Sequence, residues 1–184
     1  MGLSGSPGDG PGSRIGHLTV VKNGMALLHL GEGAVIENLN WISGEPLTGT
    51  THYNDQAERR PELIVHNHAA ITIRHLIDCS ATVSIGRFTT FAGCHLVILT
   101  HGIDLETCNQ CAKPVSIGEY CFVGAASVLL AGSALLDYSV LGASALLNKQ
   151  YTEPYCLYAG NPARPLKQLS PDHKYFTRTV GFVE

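Results

Sequence analysis

With 184 residues, the chain has the length of one domain, or one plus a short appendage, and can bury a stable core without a metal or disulfide staple. Hydrophobic residues make up 45% and charged residues only 15%, against about 25% charged in an ordinary soluble domain, which excludes disorder and leaves little exposed helix surface. A net charge of −3 without any Lys/Arg-rich run excludes a nucleic-acid or anionic-membrane surface, and no apolar stretch approaches the ~18 residues of a membrane span. The amino terminus lacks the charged start and apolar run of a secretory signal, so the six cysteines are expected as reduced thiols in a cytoplasmic protein.

Residues 1–16 contain six glycines and two prolines, too little apolar area to offset ordering, and are expected to be a flexible lead-in outside the fold. From residue 17 to 170 the aliphatic residues recur every six, matching neither the 3.6-residue period of a helix nor the two-residue period of a lone strand. In chain order the runs are Leu30, Ile36, Ile42; then Val65, Ile71, Ile77; then Ile85, Phe91, Val97, with Thr89, His95 and His101 four residues further on in each repeat. The most regular run is Ile117, Val123, Leu129, Leu135, Leu141, Leu147, with the small residues Cys121, Ser127, Ser133, Ser139 and Ala145 four further on. Two stretches break the period: Gly44 to Glu62, which holds His52, Tyr53, Arg59 and Arg60, and Asp104 to Pro114. In the tail, 171–184, Ser170 is expected to cap a short helix begun by Pro171.

A six-residue period of an aliphatic followed by a small residue places three short strands in each turn of a parallel β-helix. The predicted class is all-β: a triangular prism filled with Ile, Leu and Val, in which each inward side chain meets its counterpart 18 residues on. Gly31, Gly86, Gly118, Gly124 and Gly142 follow the aliphatics and are expected at corners with positive φ. Insertions in a solenoid leave as side loops and usually carry function.

Five segments carry a resemblance: Val83-Ser84-Ile85-Gly86; Leu99-Thr100-His101-Gly102-Ile103-Asp104; Lys113-Pro114-Val115-Ser116-Ile117-Gly118; Gly142-Ala143-Ser144 with Lys149; and Ala159-Gly160-Asn161-Pro162-Ala163-Arg164. In this order, across Leu63 to Lys167, they resemble the hexapeptide-repeat acyltransferases, which include galactoside, maltose and polysaccharide O-acetyltransferases. The resemblance implies a left-handed parallel β-helix, a homotrimer, and acetyl-CoA in the groove between two prisms. The chain departs from the sugar acetyltransferases in a shorter loop after His101 and in Phe122 where a Trp is usual, and it lacks the amino-terminal helical domain of a serine acetyltransferase.

Acyl transfer from a thioester to a hydroxyl needs a base for the hydroxyl proton, and neutral imidazole suits it. Within the resemblance His101 takes that role, although strict register puts it in the small inward slot, so the chain is expected to bulge outward there. Asp78 matches an acceptor-contacting carboxylate, with a solvated corner Asp as the alternative, and Arg74 and His75 are further acceptor candidates. Lys149 and Arg164 fall where the family contacts CoA, and Ala125, Ala143 and Asn148 where the pantetheine arm lies along the prism. Cys108 and Cys111 have zinc-like spacing but form only one such pair, so a metal would have to recruit His95, His101 or Cys94; no metal is expected. The implied activity is acetyl transfer from acetyl-CoA to a hydroxyl of a sugar, polysaccharide or nucleotide-sugar acceptor. The alternatives are N-acetylation of an amino sugar and a non-enzymatic trimeric scaffold; a carbonic anhydrase of the same fold would need three converging histidines.

Overall fold

The computed structural model describes residues 9–22, 24–53, 55–181 and 183; the expected lead-in at residues 1–8 lies outside them. Short strands pair in parallel, coil upon coil, into three sheets that form the faces of a prism. The first face stacks Arg14–Ile15, Val35–Ile36, Ala70–Ile71, Thr90–Phe91, Phe122–Val123, Val140–Leu141 and Cys156–Ala159. The second stacks Val20–Val21, Trp41–Ser43, Leu76–Asp78, Val97–Leu99, Val128–Leu130 and Leu146–Leu147, and the third Leu27–Leu30, Glu62–Val65, Val83–Ile85, Val115–Ile117, Ala134–Leu135 and Gln150–Tyr151. Arg164–Gln168 returns antiparallel on Cys156–Ala159 and covers that edge of the first face.

The register follows the expected spacing in the last coils, where Ile117 pairs with Leu135, Val123 with Leu141 and Leu129 with Leu147. Their side chains are at most 2% exposed, as are Cys121, Ser127, Ser133, Ser139 and Ala145 in the small slots. Each fully buried Ile or Leu contributes about 2 kcal/mol.

Four expectations need correction. The prism begins inside the expected lead-in, since Arg14–Ile15 pairs with Val35–Ile36 and Ile15 is buried. In the third run the inward residue after Phe91 is Ile98, not Val97, because one extra residue around Cys94 and His95 shifts the register and Leu96 takes the small slot. Gly31, Gly86, Gly118, Gly124 and Gly142 have no positive φ. They are required by close approach instead: a Cβ on Gly86 would lie 2.4 Å from the Gly118 carbonyl carbon, and one on Gly118 2.5 Å from the Asp137 nitrogen. Finally, the helix spans Lys174–Thr177 with His173 at its N-cap, and Ser170 instead accepts a bond from the Asp172 amide.

Left-handed backbone at the corners falls mostly on residues with side chains. At the corner between the third and first faces these are His68, Phe88, Tyr120, Tyr138 and Tyr155. Their rings stack coil on coil at centroid spacings of 4.8, 4.8, 5.4 and 4.9 Å, offsetting conformational strain of roughly 1 kcal/mol each. Phe176 of the helix packs edge-on against Tyr138 and Tyr155, fastening the tail to this column.

Candidate active site

Both insertions leave the prism at the corner between its second and third faces. The first follows Trp41–Ser43 and returns at Glu62; the second follows Val97–Leu99 and returns at Val115. The second is a hairpin, His101–Asp104 against Asn109–Ala112, that starts three residues earlier than the break in the period. Asp104 accepts bonds from the Glu106 and Thr107 amides and so turns the tip.

The register slip decides where His101 sits. Ile98 and Leu96 occupy the interior, Thr100 is buried at the corner, and His101 emerges as the first residue of the hairpin, its side chain 42% exposed. The expected outward displacement is therefore real, and its cause is the extra residue at Cys94 and His95.

Asp78 ends the strand one coil below, beside Thr100. Its Oδ2 lies 2.8 Å from His101 Nδ1 and accepts from the Thr100 amide at 2.9 Å and the Thr100 hydroxyl at 2.6 Å; its Oδ1 accepts from the Ser80 hydroxyl at 2.7 Å. Burial opposes ionisation, but the bonds from Thr100, His101 and Ser80 outweigh it and hold the carboxyl below its ordinary range. An ionised Asp78 makes His101 Nδ1 the donor and leaves Nε2 as the accepting nitrogen. Asp78 is thus not a solvated corner residue: it is 6% exposed, engaged through both oxygens, and lines the same cleft as His101.

His101 opens on a cleft of about 430 Å³, walled on the far side by Glu45, His52 and Tyr53 of the first insertion. Buried Arg59 holds that wall, donating to the carbonyls of Glu45, Pro46 and Ser80 while its guanidinium stacks 4.3 Å over the Tyr53 ring. The insertions are tied to each other: the Tyr53 hydroxyl donates to Gln110 Oε1, and the Gln56 amide both accepts from the Ala112 N–H at 2.8 Å and donates to its carbonyl at 3.3 Å. Ala112 is the residue paired with His101 across the hairpin. None of Thr100, Ser80, Gln56 or Gln110 carries a periodic signal that would have marked it in advance.

The other candidates separate. His75 is 2% exposed, with Nδ1 accepting from the Leu96 amide and Nε2 bonded to the Thr72 hydroxyl. Burial, reinforced by His95, lowers it to about 4, and a proton on Nδ1 would face the Leu96 N–H; it is a core histidine with no face toward an acceptor. Arg74 is an exposed corner residue with φ 58° between the first and second faces, away from the corner of His101. Ala125 and Ala143 lie on that same corner, where Ser144 N–H bonds to the Ala125 carbonyl. Asn148 and Lys149 follow Leu146–Leu147 on the His101 corner, two coils above, so roughly 10 Å along the prism. The Lys149 ammonium sits 5.2 Å from the Tyr151 ring, and Arg164 acts electrostatically on the same tyrosine. All six thiols are unpaired; burial pushes Cys121 up to about 12, and among the described residues no three His, Cys, Asp or Glu groups converge on a metal position.

No family model and no curated protein matches the sequence. The structure is similar to AntD, an N-acyltransferase from Bacillus cereus, seen in complex with dTDP-4-amino-4,6-dideoxyglucose and coenzyme A; the TM-score is 0.63 at 12% identity, covering 86% of this chain and 84% of that one. It is also similar to the hexapeptide-repeat acetyltransferase VCA0836 from Vibrio cholerae, complexed with acetyl coenzyme A, with a TM-score of 0.53 at 19% identity over 86% of this chain and 72% of that one. The fold is the hexapeptide-repeat left-handed β-helix. Within this fold, the prism supplies the stacked corners, and the two insertions supply the walls of the cleft.

Proposed function

We propose that this protein is an acyl-CoA-dependent acyltransferase that moves an acetyl group to a hydroxyl of a saccharide acceptor, with His101 as general base. The observation that carries this reading is the buried Asp78 carboxyl 2.8 Å from His101 Nδ1, which leaves Nε2 to face a polar cleft. An acceptor hydroxyl donates to Nε2 and attacks the thioester carbonyl as its proton transfers. The imidazolium, stabilised by Asp78, returns the proton to the departing CoA thiolate; no covalent enzyme intermediate forms. A free amine needs less help from a base than a hydroxyl does, so this dyad favours O-acylation over the N-acyl transfer for which AntD is named.

The CoA groups favour an assembly. Ala125 and Ala143 line one edge of the second face and Asn148 and Lys149 the other, roughly 15–20 Å apart on one prism. A second copy against this face would bring one copy's alanine corner to its neighbour's His101 corner. The face suits that contact: Val20, Trp41, Leu76, Val97, Val128 and Leu146 form one outward column in register across all six coils. The homotrimer therefore completes the site. Within it, Lys149 and Arg164 meet the phosphates of CoA.

The test is release of CoA thiol from acetyl-CoA over a panel of free and nucleotide-linked sugars and amino sugars. His101→Ala lowers kcat roughly 10²- to 10⁴-fold with the fold intact, and Asp78→Asn lowers it by roughly 10² or more because the imidazole loses its orienting anion. Lys149→Ala and Arg164→Ala raise KM for acetyl-CoA several-fold with little change in kcat, since a remote phosphate contact is shared by ground and transition states. Turnover of His101→Ala within a few-fold of wild type would overturn the assignment.

A further inference from the structure

The cleft at His101 does not end at the first insertion. Tyr53, His52 and Gln110 are shared with a second cleft of about 510 Å³, which runs outward between the first insertion and the hairpin and is lined further by Thr51, Asp55, Ile103 and Asn109. The partition between the two is built, not incidental. Tyr53 is 6% exposed, pinned under Arg59 and bonded to Gln110, and the Gln56–Ala112 clasp fixes the spacing of the two walls. An acceptor whose hydroxyl meets His101 must continue past Tyr53 into this outer cleft or out into solvent.

The chemistry of the outer cleft selects what can continue there. Among the described residues no Lys or Arg lines it, and its anionic group is Asp55. There a diphosphate would find no fixed cation and one repelling carboxylate, the lysine on this side, Lys22, lining the inner cleft with His101 instead. The amides of Asn109 and Gln110 offer donors suited to sugar hydroxyls, and Asn109 an acceptor as well. Ile103, 66% exposed, presents apolar surface for the C–H face of a pyranose. Resting on the acyltransferase reading above, we infer that the outer cleft is a subsite for a second, uncharged sugar unit, so the acceptor is a neutral oligosaccharide or glycan chain end and not a nucleotide-diphosphate sugar.

The experiment has a kinetic and a binding arm. In the first, kcat/KM for acetyl transfer is compared for free glucose, galactose and mannose, their neutral di- and trisaccharides, and the UDP-linked hexoses. The expected result is a preference of tenfold or more for an oligosaccharide over its free hexose, none for the UDP-linked form, and a roughly tenfold collapse of that preference in Asn109→Ala/Ile103→Ala. In the second, saturation-transfer NMR on His101→Ala protein reads contact with each ring of the same oligosaccharides, independently of turnover. Saturation of the second ring, lost in the Asn109/Ile103 variant, supports the subsite; if no acceptor is acetylated while this signal persists, the acyltransferase reading fails and the subsite stands. Saturation confined to the terminal ring, or a preference for UDP-hexose that the double variant leaves unchanged, overturns the inference.

Discussion

His75 and His101 are the same residue type on adjacent coils, and their surroundings give them opposite chemistry. His101 meets an anion on one side and a cleft on the other. His75 meets a backbone N–H, a hydroxyl and no solvent, so protonation costs a bond as well as hydration. Its value falls from 6.5 to about 4, so between those pH values the unfolded chain binds a proton that the folded chain refuses. The stabilisation is complete above pH 6.5, is lost as pH falls toward 4, and is on the order of 3 kcal/mol. Urea denaturation at pH 7, 5.5 and 4.5 should show this decline, and a His75→Gln variant should be less stable at pH 7 yet lose most of the dependence. Equal stability of the wild type at pH 7 and 4.5 would mean the ring is charged or solvated in the fold.

At the scale of elements, the two insertions act as one wall although they are about 50 residues apart in sequence. Gln56 lends its side-chain amide to Ala112 as an extra edge partner, and Ala112 lies directly opposite His101. Removing these bonds loosens the hairpin at the residue paired with the proposed base, at a cost of about 1 kcal/mol per bond. Gln56→Ala should therefore lower kcat about tenfold and raise the acceptor KM several-fold, while the KM for acetyl-CoA, set two coils away, stays within twofold. Faster amide hydrogen exchange at Ala112 is the structural readout. An unchanged kcat with faster exchange would show that the clasp shapes the cleft without positioning His101. Neither partner of this clasp was legible beforehand: the period places the breaks, but nothing periodic links Gln56 to Ala112.

For the whole molecule, the prism is a stack in which each coil is stabilised mainly by the coils beside it. Its outward second face keeps Trp41 44% and Leu76 41% exposed, apolar surface that an isolated prism leaves in water. For the proposed homotrimer, Leu76→Asp should leave the circular dichroism of the prism unchanged, because the side chain points outward, yet give a monomer in light scattering and abolish turnover. A monomeric wild type would remove the proposed trimer, and a trimer that Leu76→Asp left intact would place its interface on another face.

The sequence by itself determined the six-residue period, the inward aliphatics from Ile117 to Leu147, and, to within three residues, the places where the insertions leave. These follow from local spacing, because a stacked coil repeats the geometry of the one below it. Tertiary structure alone decided the one-residue slip before Leu96, which turns His101 outward; the burial that makes Asp78 an orienting anion and His75 a core residue; and the close coil contacts, not positive φ, that require Gly86 and Gly118. It also decided the clasp between the insertions. Each of these depends on which atoms meet across coils or loops, and a single inserted residue changes every such meeting while leaving the hydrophobic pattern almost as it was.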